Sequence, residues 1–331
     1  MKVRNFFRQS VIMLLVASGI VSCTETVDNV PQDSDSKEVI VPLSFSGEII
    51  NMGTTPLSRA AGNDLLYIQV YTLDTDEYGD QRTAPYAHGL FDNTDNITIA
   101  LKDGKEYGFI ATMIKDGKNR VYKDEEACYG LPFEIQLTNK FVLSEYFDYY
   151  RIGSGSTQML WGEYVVEYYR PDVDRYYGMA SCIVNPEKIE PVNLNLMRTS
   201  FGLNVATENF NEGEIIVELE GAPTLQISAP NGSTSKIYTF SNLEYVYDRD
   251  CADDGTFTKS FTEEVRVSIS RIYNGETIPV DSKYITFTRN MRTNIRVSVV
   301  SNMYENGFNV SYDSEEMTDD GQDIVFEGGG N

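Results

Sequence analysis

Apolar and polar side chains alternate along most of this chain. In residues 39–45 every second position is apolar, and the same two-residue period recurs later. The later segments are residues 97–101, 107–113, 192–196, 215–219, 265–269 and 295–299. Such alternation places one face of a strand on a core and the other in water, which is typical of antiparallel sheets. The pattern predicts an all-β protein.

Turn-forming dipeptides separate the alternating segments. They are Asp103-Gly104, Asp116-Gly117, Asn231-Gly232, Asn274-Gly275 and Asn306-Gly307. An Asn or Asp followed by Gly tolerates the positive φ angles that two-residue hairpin turns need. We expect the pairs at 116–117 and 274–275 to form hairpin tips, and we expect short helices within residues 141–150.

The chain is long enough for two domains. It has 331 residues, and about 150 residues is a common size for one domain. Residues 185–191 contain two prolines and several charges, which interrupt strands. We therefore predict two β-sandwich domains, at 39–190 and 191–331, with their boundary near residues 186–200.

The N-terminus has the features of an export signal. Basic residues precede a short apolar segment, residues 11–22, which ends at Cys23. A segment this short does not cross a bilayer as a permanent helix. We interpret residues 1–22 as a lipoprotein signal peptide and Cys23 as the lipidated residue. The alternative is an ordinary signal peptide followed by a chance cysteine.

Charge and composition narrow the choice of partners. Residues 23–38 are polar and acidic and offer too little apolar surface to fold, so we expect a flexible tether there. The whole chain has a net charge of −23. So acidic a protein is repelled by polyanions, and we expect no nucleic acid among its partners.

Three cysteines follow Cys23 in the sequence: Cys128, Cys182 and Cys251. Their wide separation excludes a metal or redox motif of the CxxC type. The favoured interpretation is that they are buried thiols. A bridge between Cys128 and Cys182 is the alternative.

The sequence lacks recognisable catalytic constellations. His88 is the one histidine, and we expect it in a loop that begins at Pro85. A Ser-His-Asp triad would depend on this residue, and no nucleophile-elbow motif accompanies it. Asp74, Asp76 and Gly79 imitate the start of a calcium loop, but Pro85 stands where the bidentate Glu belongs. We predict that the protein is not an enzyme and has no metal or cofactor.

Aromatic side chains are concentrated in residues 146–177. Flat apolar rings with polar tips can contact sugar rings, so Trp161, Tyr164 and Tyr168 are candidate glycan contacts. The alternative is that the aromatic residues form cross-strand pairs inside a sandwich.

A candidate processing site lies between two predicted strands. Residues 51–58 are rich in turn-forming residues, and residues 65–71 form a strongly apolar strand. Arg59 and Ala60 lie between them, in a stretch that we expect to be exposed. Exposed loops of small and polar residues are where proteases cut, so an Arg-specific protease could cleave after Arg59.

Taken together, several segments resemble the fimbrillin (type V pilin) family of outer-membrane lipoproteins. They are the lipobox-like residues up to Cys23, the early strand at 39–45, Ser58-Arg59-Ala60 ahead of residues 67–71, and the segments 196–205 and 289–297. The resemblance covers nearly the whole chain and includes both major and accessory fimbrial subunits.

The resemblance implies two transthyretin-like β-sandwich domains in a lipoprotein anchored at the outer membrane. It also implies that an Arg-specific protease cuts after Arg59, which makes Ala60 the new N-terminus and removes residues 39–59. The strand displaced in this way carries Val39, Val41, Leu43 and Phe45. The vacated groove would then take a strand from another fimbrial subunit.

The resemblance therefore implies a cell-surface fimbrial subunit that supports adhesion to host or bacterial ligands. The candidate donor strand of this chain carries Ile324, Val325 and Phe326, but it is short and glycine follows it. This departure leaves room for a tip, adaptor or anchor subunit. The alternative function is a glycan-binding surface lipoprotein that does not polymerise.

Overall fold

Strands make up most of the structure. The computed structural model describes residues 37–48, 62–75, 78–79, 81–301 and 306–317. Its strands are β1 (Glu38–Gly47), β2 (Leu65–Thr75), β3 (Gln81–Phe91), β4 (Thr98–Lys102), β5 (Glu106–Ile114), β6 (Cys128–Tyr129), β7 (Ile135–Gln136), β8 (Val142–Leu143), β9 (Thr157–Trp161), β10 (Tyr164–Tyr168), β11 (Arg175–Ile183), β12 (Val192–Arg198), β13 (Ser200–Glu208), β14 (Glu214–Leu219), β15 (Leu225–Ser228), β16 (Ser233–Thr239), β17 (Thr262–Tyr273), β18 (Glu276–Thr288), β19 (Met291–Ser301) and β20 (Asn306–Glu316). Its helices are α1 (Gly117–Arg120), α2 (Tyr149–Gly153) and α3 (Leu243–Asp250). The prediction of an all-β protein is confirmed.

The first part of the chain forms an eight-stranded sheet in the order β4-β1-β12-β11-β5-β2-β3-β8. Apolar side chains from both halves of this sheet, such as Val41 and Ile99 on one side and Ile68 and Phe109 on the other, meet in one core. The sheet therefore bends back on itself and forms two layers. The bend lies at β12, which pairs with β1 through most of its length and with β11 only at its end.

The second part forms a sandwich of two four-stranded sheets, which we call the C-terminal sandwich. Their strand orders are β16-β13-β19-β20 and β15-β14-β17-β18. Phe201 of β13 lies at the centre, with its ring centroid 4.5 Å from that of Phe287 and 4.8 Å from that of Phe240. Burial of these large rings holds the two sheets together.

The two predicted hairpin tips have different outcomes. Asn274 and Gly275 connect β17 to β18 with φ angles of 51° and 80°, so that prediction is confirmed. The prediction at 116–117 is wrong, because Asp116 precedes α1. The backbone N–H of Asp116 donates to the Asp64 carboxylate at 2.9 Å, which holds the chain against the start of β2. A fixed contact to a distant segment has replaced the local turn.

The expectation that His88 lies in a loop is also wrong, because His88 lies within β3. Proline and glycine made this segment look irregular. Pro85 is tolerated because the pairing of β2 with β3 shifts register at this point: Val70 pairs with Ala87, and Tyr71 with Pro85. A bulge accommodates the missing N–H of proline without ending the strand.

Two further segments bear on the sequence predictions. Residues 185–191 join β11 to β12, and α2 begins at the end of the segment in which we expect short helices.

The three cysteines in the described part of the chain are free thiols. Cys128, Cys182 and Cys251 form no disulfide bond, so the alternative of a Cys128–Cys182 bridge is wrong. Burial raises the pKa of the Cys182 thiol to about 11, which keeps it protonated at neutral pH.

Two aromatic residues of β18 test this description of the C-terminal sandwich. Phe287 is fully buried against Phe201, whereas Tyr284 is exposed. Replacing Phe287 by Ala should lower the free energy of unfolding by about 3–5 kcal/mol through lost burial and a cavity. Tyr284→Ala should cost less than about 1 kcal/mol. Denaturant unfolding followed by circular dichroism measures both, and equal losses would contradict this core.

Candidate functional site

The candidate site is the groove that β1 fills, because the predicted displaced strand is β1. Several other predicted site residues lie outside the described part of the chain. These are Cys23, Arg59, Ala60, Ile324, Val325 and Phe326. Their roles stay predictions.

β1 fills its groove with one apolar face. Val39, Val41 and Leu43 are buried in the core of the eight-stranded sheet, and Phe45 packs against the same core half-buried. Ile40, on the opposite face, is 57% exposed. The two-residue period seen in the sequence is therefore the period with which this strand enters the core.

β1 is joined to the sheet by a different neighbour in each half. Residues 38–42 pair antiparallel with β4, and residues 43–47 pair parallel with β12. The backbone N–H of Leu43 donates to the carbonyl of Ile97 at 2.9 Å, where the pairing changes sides. Without β1, β4 and β12 would each lose the backbone partners that they have there.

A cavity of about 310 Å³ lies beside the first half of β1. Val39 and Val41 line one side, and residues 180–185 and 188–193 line the others. The cavity lies where β12 has separated from β11, since these two strands pair only through Met197 and Arg198. The first half of β1 thus borders open space on the side away from β4.

A charged contact follows the second half of β1. The Glu48 carboxylate accepts a hydrogen bond from Nη1 of Arg289 at 2.7 Å and one from the backbone N–H of Arg198 at 2.8 Å. The N–H of Glu48 donates to the carbonyl of Leu196 at 3.0 Å. Arg289 lies between β18 and β19, so Glu48 ties β1 to the C-terminal sandwich.

Arg289 is fully buried and nearly saturated with acceptors. Its Nε donates to the Asp250 carboxylate at 2.5 Å, Nη1 also donates to the carbonyl of Arg198 at 3.0 Å, and Nη2 donates to the carbonyl of Thr258. Burial of a guanidinium is tolerated because carboxylates and carbonyls surround it. Asp250, in turn, accepts from the N–H of Phe261 at 2.8 Å.

Gly47 allows the chain to reach this contact. It has a φ of 100°, a conformation that favours glycine. A Cβ at this position would lie 2.5 Å from the carbonyl oxygen of Leu196 and 2.5 Å from Oδ1 of Asn195. Both the backbone angle and the close approach to β12 therefore require glycine immediately before Glu48.

Sequence reasoning did not find Glu48, Arg289 or Asp250 as a group. Glu48 and Arg289 are 241 positions apart, and in a chain with 50 acidic residues no single carboxylate stands out. The one available signal was the Gly-Glu pair that directly follows the alternating strand. It marks a point where the backbone bends and a charge must find a partner.

The candidate glycan contacts come together on a separate hairpin, β9–β10. Trp161 pairs with Tyr164, and Thr157 with Tyr168, so Trp161, Tyr164 and Tyr168 lie on one face. Trp161 is 54% and Tyr164 72% exposed. The other aromatic residues of the predicted cluster divide differently, since Tyr176 and Tyr177 are fully buried in β11.

His88 packs against aromatic side chains. Its Nδ1 lies 2.8 Å from the hydroxyl oxygen of Tyr67, and its ring stacks on Phe147 at 5.2 Å. Burial lowers the pKa of His88, so the neutral imidazole is favoured.

Two other kinds of site are absent from the described residues. Among these residues, no three His, Cys, Asp or Glu side chains lie together as a metal site, and no helix is long and apolar enough to cross a bilayer.

Comparison with known proteins gives structural neighbours at low sequence identity. No family model matches the chain, and no curated relative matches it. Its structure is similar to that of the fimbrial anchor protein Mfa2 from Porphyromonas gingivalis, at 10% identity, over 85% of this chain and 97% of that chain, with a TM-score of 0.38. It is also similar to the tip fimbrial protein Mfa3 from Porphyromonas gingivalis, at 9% identity, over 85% of this chain and 100% of that chain, with a TM-score of 0.32.

Substitutions on the two faces of β1 test which face is buried in the groove. Leu43→Ala removes buried methyl groups and should lower the free energy of unfolding by about 2–5 kcal/mol. Ile40→Ala removes a largely exposed side chain of the same size and should cost less than about 1 kcal/mol. Denaturant unfolding of the two variants measures the difference. If Ile40→Ala were the more damaging change, β1 would have to sit with its other face in the groove.

Proposed function

We propose that this chain is a bacterial surface fimbrial subunit of the fimbrillin type that supports adhesion. It is exported as a lipoprotein acylated on Cys23, which tethers it to the outer membrane. Its acidic surface suits a role outside the cell, because it resists non-specific association. In this proposal the protein works by holding other subunits and surface ligands, with no catalysis.

The observation that carries the proposal is that β1 is a core-filling strand with one removable connection. Residues 48–64 link β1 to β2, and Arg59 lies in this link. A cut there would leave β1 held by non-covalent contacts alone: its buried face, its backbone pairing and the hydrogen bonds of Glu48. No other covalent bond in the described part of the chain would retain it, since the cysteines are free.

The energetics of the groove favour exchange over an empty state. Val39, Val41 and Leu43 each contribute roughly 1.5–3 kcal/mol by leaving water. Backbone groups of β4 and β12 would add the cost of lost hydrogen bonds, at about 0.5–1.5 kcal/mol each. A cut β1 should therefore stay in place until another strand displaces it, which makes assembly slow.

The partners follow from this mechanism. An Arg-specific protease supplies the cut after Arg59 and exposes Ala60, and another fimbrial subunit supplies the replacement strand. Residues 324–326 of this chain are a candidate donor for the groove of a different subunit. Adhesion would then be a property of the assembled fibre, with host or bacterial surface molecules as its ligands.

A second candidate function rests on the β9–β10 hairpin. Trp161 and Tyr164 share an exposed face, and Tyr168 lies on the same face closer to the body of the protein. Such a face can stack against sugar rings. On this alternative the protein is a glycan-binding outer-membrane lipoprotein in which Arg59 is not cut.

Processing after Arg59 is the first test. Limited digestion with an Arg-specific protease should give one early cut, with Ala60 as the new N-terminus, followed by slow formation of SDS-resistant oligomers when other fimbrial subunits are added. Arg59→Gln should abolish both, and Arg82→Gln, at an exposed strand position, should change neither. N-terminal sequencing and gel electrophoresis measure the outcome. A protein that is cut at Ala60 and remains monomeric with added subunits would contradict assembly by exchange.

The aromatic hairpin separates the two functions. If the protein binds glycans through this face, Trp161→Ala should weaken binding on a glycan array by tenfold or more, because one stacking platform is lost. Tyr284→Ala, which removes an exposed aromatic ring elsewhere, should leave binding unchanged. Equal binding by both variants, with oligomers forming after the cut, would reject the glycan-binding alternative.

A further inference from the structure

The groove that β1 occupies recognises a negative charge as well as an apolar face. The Glu48 carboxylate receives two hydrogen bonds, from the fully buried Arg289 side chain at 2.7 Å and from the Arg198 backbone at 2.8 Å. Glu48 itself remains partly exposed. These donors belong to β12 and to the loop before β19, so they stay behind when β1 leaves.

The departure of β1 removes hydrogen-bond acceptors from the groove. Glu48 precedes Arg59 in the sequence, so a cut after Arg59 removes the carboxylate together with the strand. Arg289 would keep Asp250, which is fully buried beside it. The second acceptor of Nη1 and the acceptor of the Arg198 N–H would be lost. A replacement strand that buries these donors without offering an acceptor incurs the cost of leaving them unsatisfied.

The geometry before Glu48 restricts the replacement further. The residue at the position of Gly47 must adopt a positive φ. A Cβ atom on that residue would lie only 2.5 Å from the carbonyl oxygen of Leu196. Any residue with a side chain collides there. A strand that restores all contacts must therefore carry alternating apolar residues, then glycine, then an acidic residue.

We infer that the vacated groove selects a donor strand with this sequence pattern, and that its acidic side chain takes the place of Glu48 on Arg289. The inference rests on the proposed strand exchange and names the chemistry of its partner. In residues 318–331 of this chain no glycine is followed by an acidic residue. The groove is therefore suited to a strand from a different subunit rather than to residues 324–326 of a second copy.

The test uses the full chain, with residues 52–58 replaced by the recognition sequence of a site-specific protease. After the cut, labelled peptides spanning residues 37–48 compete with the severed strand for the groove. The peptides are the native sequence, Glu48→Gln, Glu38→Gln and, separately, residues 318–331. Because only the peptides vary, the folding of the protein is the same in every measurement.

The native peptide should enter slowly, and Glu48→Gln should bind at least tenfold more weakly, which corresponds to about 1.4 kcal/mol. Glu38→Gln changes an exposed acidic residue at the other end of β1 and should bind within about twofold of native. The peptide 318–331 should bind far more weakly than the native peptide. Fluorescence anisotropy measures each affinity.

Two results would overturn the inference, and they differ from failure of the proposed function. Equal binding of the native and Glu48→Gln peptides would reject selection by charge while leaving strand exchange intact. Binding of the peptide 318–331 as tightly as the native one would reject selection of a different subunit. Failure of every peptide to enter the cut protein would instead reject the exchangeable groove itself.

Discussion

The structure depends on the burial of one face of β1. Val39, Val41 and Leu43 lie in a core to which both layers of the eight-stranded sheet contribute. Because β1 pairs with β4 through its first half and with β12 through its second, it joins two strands that do not pair with each other. Apolar burial supplies most of the stabilisation in such an arrangement, and backbone pairing fixes its direction and register.

The charged contact at Glu48 extends this dependence to the rest of the molecule. Arg289 pairs with Glu48 and Asp250, and Arg198 pairs with Asp174 through two hydrogen bonds at 2.8 and 2.9 Å. The bend in the eight-stranded sheet, the end of β1 and the C-terminal sandwich therefore meet in one network of charges. Buried ion pairs contribute little net stability, but loss of one partner leaves an uncompensated charge at a high cost, so this network opposes any rearrangement that separates its members.

The sequence was informative where structure is local and uninformative where it depends on distant contacts. The two-residue period identified the buried face of β1, and the Asn274 turn followed from its own backbone preference. Asp116 and Pro85 gave wrong predictions. The backbone N–H of Asp116 bonds to the distant Asp64 carboxylate, and a bulge in the β2–β3 pairing accommodates Pro85 within a strand. The pairing of Glu48 with Arg289 could not be predicted, since it exists only after two separate sheets have folded.

Distant contacts also decide which aromatic residues are buried and which are exposed. Tyr176 and Tyr177 belong to β11, an interior strand whose two faces meet two different cores, so both are buried. Trp161 and Tyr164 end a two-stranded hairpin that pairs with no larger sheet, so both remain exposed. Both places carry aromatic residues, and the neighbouring strands decide whether the rings are buried. An exposed aromatic face on such a hairpin gains no stability from burial.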